Sequence, residues 1–293
     1  MGEGFGVFWG ERGTKCGQDA LRTEERPKGR RMGAATEDFM LAESAAPGDG
    51  DLKLSIVFPA YNEEARIRPS LRSAARFIRS LDFPAEIIVV DDGSADSTAD
   101  IVREAQADHP TIRLIQHDVN QGKGIAVRTG FLASDAEFAL FCDVDESVPI
   151  GELVGVLDRL IDEEADVAIG TRYHPDSVIV KRQPWQRIVV SRVGNLLIRA
   201  LLLPGLKDTQ CGFKLFRMSR MKQAFERVIT AGFGFDLEIL AIARAWKRKI
   251  IEVPVTWIHG EGSTLRLAPA ATNVLLDLLR ITWRVRTGFY REG

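Results

Sequence analysis

The chain reads as an α/β protein: a mostly parallel central sheet flanked by helices, followed by a carboxyl-terminal region of different rhythm. Three observations predict this. From residue 53 onward, short β-branched and aromatic runs alternate with amphipathic helical patterns, as in strand–helix–strand crossovers. One run, Ile87-Ile88-Val89-Val90, is apolar without alternation, as expected of a parallel strand covered on both faces. Three runs end abruptly in polar or acidic clusters. In a parallel sheet these would meet along one edge, where open α/β sheets place their ligands.

The elements follow in order. Residues 54–58 form a first strand, which Pro59 is expected to stop. Residues 63–80 carry Ile67, Leu71, Ala74, Ala75 and Ile78 at helical spacing. After the second strand, Asp91-Asp92-Gly93-Ser94 makes a turn, and Asp96 or Ser97 caps a helix through Ala107. A third strand at 112–115 and a helix at 124–133 lead to a fourth run, Phe138-Ala139-Leu140-Phe141-Cys142-Asp143-Val144-Asp145. Residues 150–162 are helical, and 167–170 form a further strand. Beyond Gly170 come a long helix at 185–203, an irregular or β segment at 205–216, and helices at 219–227 and 237–247. An edge strand at 250–257, marked by Pro254, and a closing helix at 269–286 complete the chain.

Residues 1–50 differ from the rest. They hold ten of the 26 glycines and a mixed-charge run at 22–31 with no apolar periodicity, so a disordered leader is expected, with Met32 or Met40 as alternative starts. The 293 residues, 45% hydrophobic and 27% charged, otherwise suit a globular domain with a sizeable core. A net charge of −2 argues against nucleic-acid partners. Three scattered cysteines argue against a disulfide framework or zinc site and fit a reducing cytosol. No run approaches the ~18 apolar residues of a membrane span.

The chemistry lies at the strand ends. Asp143 and Asp145 could share a divalent ion with a diphosphate, since hard cations are held by one or two carboxylates plus phosphate oxygens. Asp-x-Asp alone is also a common loop tripeptide. Here two further clusters, Pro59-Ala60-Tyr61-Asn62-Glu63-Glu64 and Asp91-Asp92-Gly93-Ser94, would share its edge. Asn120-Gln121-Gly122-Lys123-Gly124 precedes a helix and could cradle phosphate. It is not a Walker A loop: His117 stands where the first glycine should be, and Gly124 replaces the Ser or Thr after the lysine. Residues 179–222 hold ten basic residues against one acid, Asp208, which suits a phosphate-bearing acceptor and an anionic membrane surface.

Strand-Pro-Ala-Tyr-Asn-Glu-Glu, Val-Val-Asp-Asp-Gly-Ser and Asp-x-Asp together resemble the family 2 glycosyltransferases of GT-A fold, with a Rossmann-like sheet. Asp208-Thr209-Gln210-Cys211-Gly212-Phe213-Lys214-Leu215-Phe216, Phe235-Asp236-Leu237-Glu238, Val253-Pro254-Val255-Thr256-Trp257 and Glu261-Gly262-Ser263 narrow the likeness to the dolichyl-phosphate β-glucosyltransferases. The resemblance covers residues 53–288. It implies one domain at 51–293, with a nucleotide-sugar half at 51–150 and an acceptor half at 151–293. It also implies that Pro59, Tyr61, Glu63, Asp91 and Asp92 line the nucleotide, and that Gly122 and Lys123 meet the diphosphate. Asp143 would contact ribose or sugar, and Asp145, with Asp143, would bind Mg2+ or Mn2+.

Arg172, Arg187 and Ser191 match positions that hold the acceptor phosphate in the related mannose synthases. Asp236 and Glu238 would orient the sugar or act as a weak base; the bland reading is two polar residues at a helix start. No histidine lies in these motifs, His259 being the nearest, and an ionised lipid phosphate needs orientation more than deprotonation. The closing helix carries one polar stripe, Asn273, Asp277, Arg280 and Arg284, and with Trp283 it suits the surface of a membrane.

The expectation is thus an inverting, metal-dependent transfer of glucose from UDP-glucose to a dolichyl or polyprenyl phosphate, peripheral on the cytoplasmic face of a membrane. GDP-mannose as donor, a soluble acceptor, and a non-catalytic nucleotide-sugar-binding protein are the alternatives. A homodimer is left open.

Overall fold

A computed structural model describes residues 52–180, 185–258 and 267–292, with backbone alone for 185–190 and 267–271. The leader expected at 1–50, Lys181, Arg182, His259 and the Glu261-Gly262-Ser263 motif lie outside the described residues.

The alternation of apolar runs and amphipathic segments produces the expected layers. Strands β1 (Leu54–Ala60), β2 (Ala85–Asp91), β3 (Ile112–Gln116) and β4 (Phe138–Cys142) alternate with helices α1 (Ile67–Arg79), α2 (Thr98–Asp108) and α3 (Lys123–Ala133). Helix α4 (Leu153–Asp162), β5 (Val167–Thr171), the short β6 (Val178–Ile179) and α5 (Trp185–Leu201) follow. The chain closes with β7 (Phe213–Arg217), α6 (Met218–Glu226), α7 (Phe235–Ala245), β8 (Ile250–Pro254), β9 (Thr256–Trp257) and α8 (Leu267–Arg286).

Seven strands form the main sheet in the order β3-β2-β1-β4-β7-β5-β8, and β6 pairs with β9 in a separate ribbon. β2, β4 and β5 are buried along their whole length, whereas the edge strands β3 and β8 are only partly covered. The continuous apolar runs therefore lie in the middle and the interrupted ones at the rims. The order reverses between β1 and β4, so the crevice beyond their carboxyl ends is the natural ligand position.

Three expectations change. Pro59 does not stop β1, which runs on to Ala60. The pairing of β1 with β4 ends at Val57, so the proline beyond it breaks no ladder bond on that side. The first helix starts at Ile67, not at residue 63, because residues 61–64 are tied to the neighbouring turn instead. The segment at 205–216 ends in an ordered central strand: β7 lies between β4 and β5, antiparallel to both.

Candidate active site

The ends of β1 and β2 are stitched together by the motif residues. Asn62 sits at φ 54°, a conformation that asparagine tolerates better than most residues. From there its backbone N–H donates to Ser94 Oγ (2.9 Å), and its Oδ1 accepts from the Ala95 N–H (2.9 Å). The Glu63 N–H donates to Thr98 Oγ1 (2.8 Å). Tyr61, just before these anchors at the end of β1, is 47% exposed. The Glu63 carboxylate takes both arms of Arg66 at 2.7 Å. Burial raises its pKa, Arg66 counters, and nearby Asp145 and Asp143 add to the rise.

Asp91 and Asp92 are buried rather than open to the crevice. Asp91 accepts from the Ser94 N–H (3.3 Å) and Gln116 Nε2 (3.1 Å). Asp92 accepts from the backbone N–H groups of Gln121 (2.9 Å) and Gly122 (2.8 Å), and its Oδ1 lies 2.8 Å from His117 Nδ1. The far nitrogen of His117 is 3.1 Å from Thr129 Oγ1. Asp92 therefore shapes the 120–124 turn while Asp91 holds the 91–94 turn, and His117, noted in the sequence only for not being glycine, is part of the support of Asp92.

The turn itself depends on its glycines. Gly122 has φ +100°, and a Cβ there would lie 2.5 Å from the Ala231 carbonyl oxygen; one on Gly124 would lie 2.1 Å from that of Thr230. The Gly124 N–H donates to Ala231 O at 2.7 Å. Gly124→Ala should cost about 1–3 kcal/mol by overpacking. Thermal melts against Gly151→Ala, which meets open space, test this.

Lys123, pinned by that turn, points at the end of β4. Its Nζ is 2.5 Å from Asp143 Oδ1 and lies over the rings of Phe141 and Phe233. Burial works against its charge, but Asp143 and Asp236 outweigh it and raise its pKa. Lys214, fully buried on β7, donates to Cys211 O (2.6 Å) and Asp236 Oδ1 (2.5 Å). Burial raises the pKa of Asp236, and Lys214 and Lys123 pull it back in part. Two ammonium groups and two carboxylates thus sit around Phe141.

The Asp-x-Asp turn is held by its backbone. Ser70 Oγ donates to Val144 O (2.6 Å), and the Asp143 N–H donates to Gly212 O (3.1 Å). A Cβ on Gly212 would meet Asp143 Oδ2 at 1.9 Å. Gly212→Ala should therefore displace the Asp143 carboxylate and reduce activity more than it reduces the melting temperature, a split that paired assays and melts would show. Asp145 is exposed, and among the described residues its carboxylate accepts only the Ser147 N–H (3.0 Å). Cys142 and Cys211 are buried free thiols, and burial pushes Cys211 up to about 12, so neither suits metal ligation or attack.

Two expectations meet a different geometry. Glu238 does not join Asp236. It is fully buried, accepts from the Ile229 (2.9 Å) and Thr230 (2.7 Å) N–H groups, and binds Arg284 and the Tyr290 hydroxyl with its other oxygen. Arg172 donates through Nε and Nη2 to Asp208, both at 2.7 Å, and through its backbone N–H at 2.9 Å. Its fork is therefore shared with a carboxylate. Ser191 Oγ lies 3.3 Å from the Tyr173 hydroxyl beside it; the side chain of Arg187 is outside the described residues.

The sequence pattern described as glycosyl transferase family 2 matches residues 55–225. The chain belongs to that family. Among curated relatives, dolichyl-phosphate β-glucosyltransferase of Dictyostelium discoideum is 32% identical over 86% of this chain and 80% of its own. The enzymes of that name from Saccharomyces cerevisiae and Homo sapiens are each 32% identical, over 84% and 82% of this chain and 78% of their own lengths. A crystal structure of glucosyl-3-phosphoglycerate synthase from Mycobacterium tuberculosis, with Mn2+ and uridine-diphosphate-glucose, superposes with a TM-score of 0.59. It shares 20% identity and covers 80% of both chains. This likeness shows the GT-A fold.

As a family 2 glycosyltransferase, the chain presents donors that fit a hard cation. Among the described residues, no three His, Cys, Asp or Glu side chains converge to hold an ion by themselves. The exposed Asp145 carboxylate, with Asp143 two residues before it, supplies oxygen ligands of the right kind. The remaining ligands would come from a diphosphate.

Proposed function

We propose that this glycosyltransferase moves glucose from UDP-glucose to a dolichyl or polyprenyl phosphate, with inversion and with Mg2+ or Mn2+. The observation that carries the reading is the juxtaposition at the end of β4. An exposed Asp145 for a metal–diphosphate, Lys123 delivered by a glycine turn, and buried Asp236 converge there. The three curated relatives described above, each named dolichyl-phosphate β-glucosyltransferase, support the glucosyl group and the lipid phosphate. In the Mycobacterium enzyme the same fold holds Mn2+ and uridine-diphosphate-glucose.

Each residue has a task in this reading. Tyr61 offers an exposed ring at the nucleotide edge, while Asp91 and Asp92 hold the loops that form the pocket. Lys123 offsets diphosphate charge, and Asp143 orients Lys123 and the sugar. A divalent cation at Asp145 would neutralise the charge that grows on the departing diphosphate. Asp236, held by Lys214, orients the sugar hydroxyls. The acceptor brings an ionised phosphate oxygen as nucleophile, so these residues need not remove a proton. The Nη1 side of Arg172 and the Tyr173–Ser191 pair face that phosphate.

The enzyme works from a membrane surface in this reading. No described helix is long and apolar enough to cross a membrane. Of the polar stripe of α8, Arg284 turns inward to meet Glu238 while Asn273 and Arg280 stay exposed, and Leu275, Leu276, Leu279 and Trp283 are left exposed as well. Val193, Leu196 and Leu201 of α5 are exposed too, with Arg192, Arg199, Arg280 and Arg286 exposed on these helices. An apolar face flanked by arginines suits an anionic leaflet. We place it on the cytoplasmic side.

The test is a radiolabelled panel of UDP-glucose and GDP-mannose against short polyprenyl phosphates and 3-phosphoglycerate, with and without Mn2+. Lipid-linked glucose formed only with metal is the expected product. Mannose transfer, a soluble product, or activity that survives EDTA would overturn the corresponding part.

A further inference from the structure

We infer that Glu238 is a positioning residue for the donor-diphosphate turn, acting on it through the backbone of residues 229–231. This rests on the reading of Gly122-Lys123-Gly124 as the diphosphate cradle, but the linkage itself is a chain of contacts. Glu238 Oε2 holds the Ile229 and Thr230 N–H groups. One residue on, the Ala231 carbonyl receives the Gly124 N–H. The carbonyl oxygens of Thr230 and Ala231 are the atoms that a Cβ at Gly124 or Gly122 would strike. Phe233, two residues further along, lies under the Lys123 ammonium. The 229–233 segment is therefore the floor of the cradle, and a single buried carboxylate fixes its amide end.

The other oxygen of Glu238 faces away from the site. It accepts from Arg284 Nη1 (3.1 Å) and the Tyr290 hydroxyl, while Trp246 Nε1 donates to Tyr290 O (2.6 Å). The two oxygens thus divide the work. Oε2 holds the cradle floor, and Oε1 locks the carboxylate to the carboxyl-terminal helix and tail. A buried carboxylate with four donors has no freedom to follow substrate, so its influence must pass through the backbone it holds. Small displacements there are costly, since an error of ~1 Å in a catalytic group's position can lower rates ~100-fold.

The division separates positioning from general stability. Glu238→Asp keeps the charge for Arg284 but withdraws the carboxylate from the 229–230 amides. Glu238→Gln keeps an oxygen for those amides. Tyr290→Phe removes a donor from Oε1 only. Two readouts on the full-length protein decide: UDP affinity by calorimetry with Mn2+, and hydrogen exchange of the amides at 120–126. Glu238→Asp should bind UDP ~10-fold more weakly and exchange faster at 120–126. Glu238→Gln should restore both, and Tyr290→Phe should lower the melting temperature while leaving both unchanged.

Native affinity and exchange in Glu238→Asp would overturn the inference. Tyr290→Phe weakening both readouts as much as Glu238→Asp does would also overturn it, because the effect would then be stability alone. Wild-type protein that binds GDP but not UDP would instead overturn the donor assignment. The exchange comparison still tests the linkage in that case.

Discussion

Replacing Asp145 with asparagine is expected to abolish sugar transfer while leaving the protein folded. The side chain is exposed, and among the described residues its only bond is the Ser147 N–H, which the asparagine oxygen can still accept. Exposed substitutions of this kind usually shift stability by less than about 0.5 kcal/mol, so the melting temperature should hardly move. The charge is another matter. In the proposed reading this carboxylate holds the cation that would neutralise the departing diphosphate, and loss of one such electrostatic group typically costs ~100- to 1000-fold in rate. Wild-type protein in EDTA should show the same defect, and added Mn2+ should rescue the wild type but not the variant. Asp143→Asn should behave differently, because it also leaves Lys123 without its 2.5 Å partner. Near-normal turnover in Asp145→Asn would remove this carboxylate from the reaction.

The layers and the strand ends that carry the polar clusters were legible because they rest on local signals. Unbroken apolar runs mark inner strands, and polar clusters mark where they end. The direction of β7 was not legible, since Phe213-Lys214-Leu215-Phe216 says nothing about which neighbours it will pair with. Pairing Asp236 with Glu238 ignored the helical period: residues two apart on a helix point about 200° away from each other. Asp236 accordingly faces Lys214, and Glu238 faces Arg284 and Tyr290. Lys214 carried an overlooked hint, because a lysine inside an apolar strand needs a buried partner. Asp208, the one acid in a basic stretch, carried another and proved to hold Arg172. His117 left no comparable trace, as its partners Asp92 and Thr129 meet it only once the sheet has formed.

Lys214→Met should destabilise the fold by about 3–5 kcal/mol, because it leaves the Asp236 carboxylate buried without its hydrogen-bonded cation. Lys214 is fully buried, and Asp236 is only 7% exposed. Burial already raises the pKa of Asp236, and Lys214 is the largest influence opposing it. Without the lysine, the carboxyl is driven towards its neutral form. Asp236→Leu alone should fail in the mirror sense, stranding an ammonium group between Phe141 and the Cys211 carbonyl. The double variant Lys214→Met/Asp236→Leu removes both charges at once. Replacing a buried ion pair with apolar groups of similar volume is often neutral or stabilising, so it should recover most of the lost stability in denaturant melts. In the proposed reading transfer should nonetheless stay absent, because Asp236 would no longer be there to orient the sugar. If the double variant regained both stability and turnover, the pair would be structural and Asp236 would have no part in the chemistry. If it regained neither, the coupling energy of the pair would exceed what desolvation leaves.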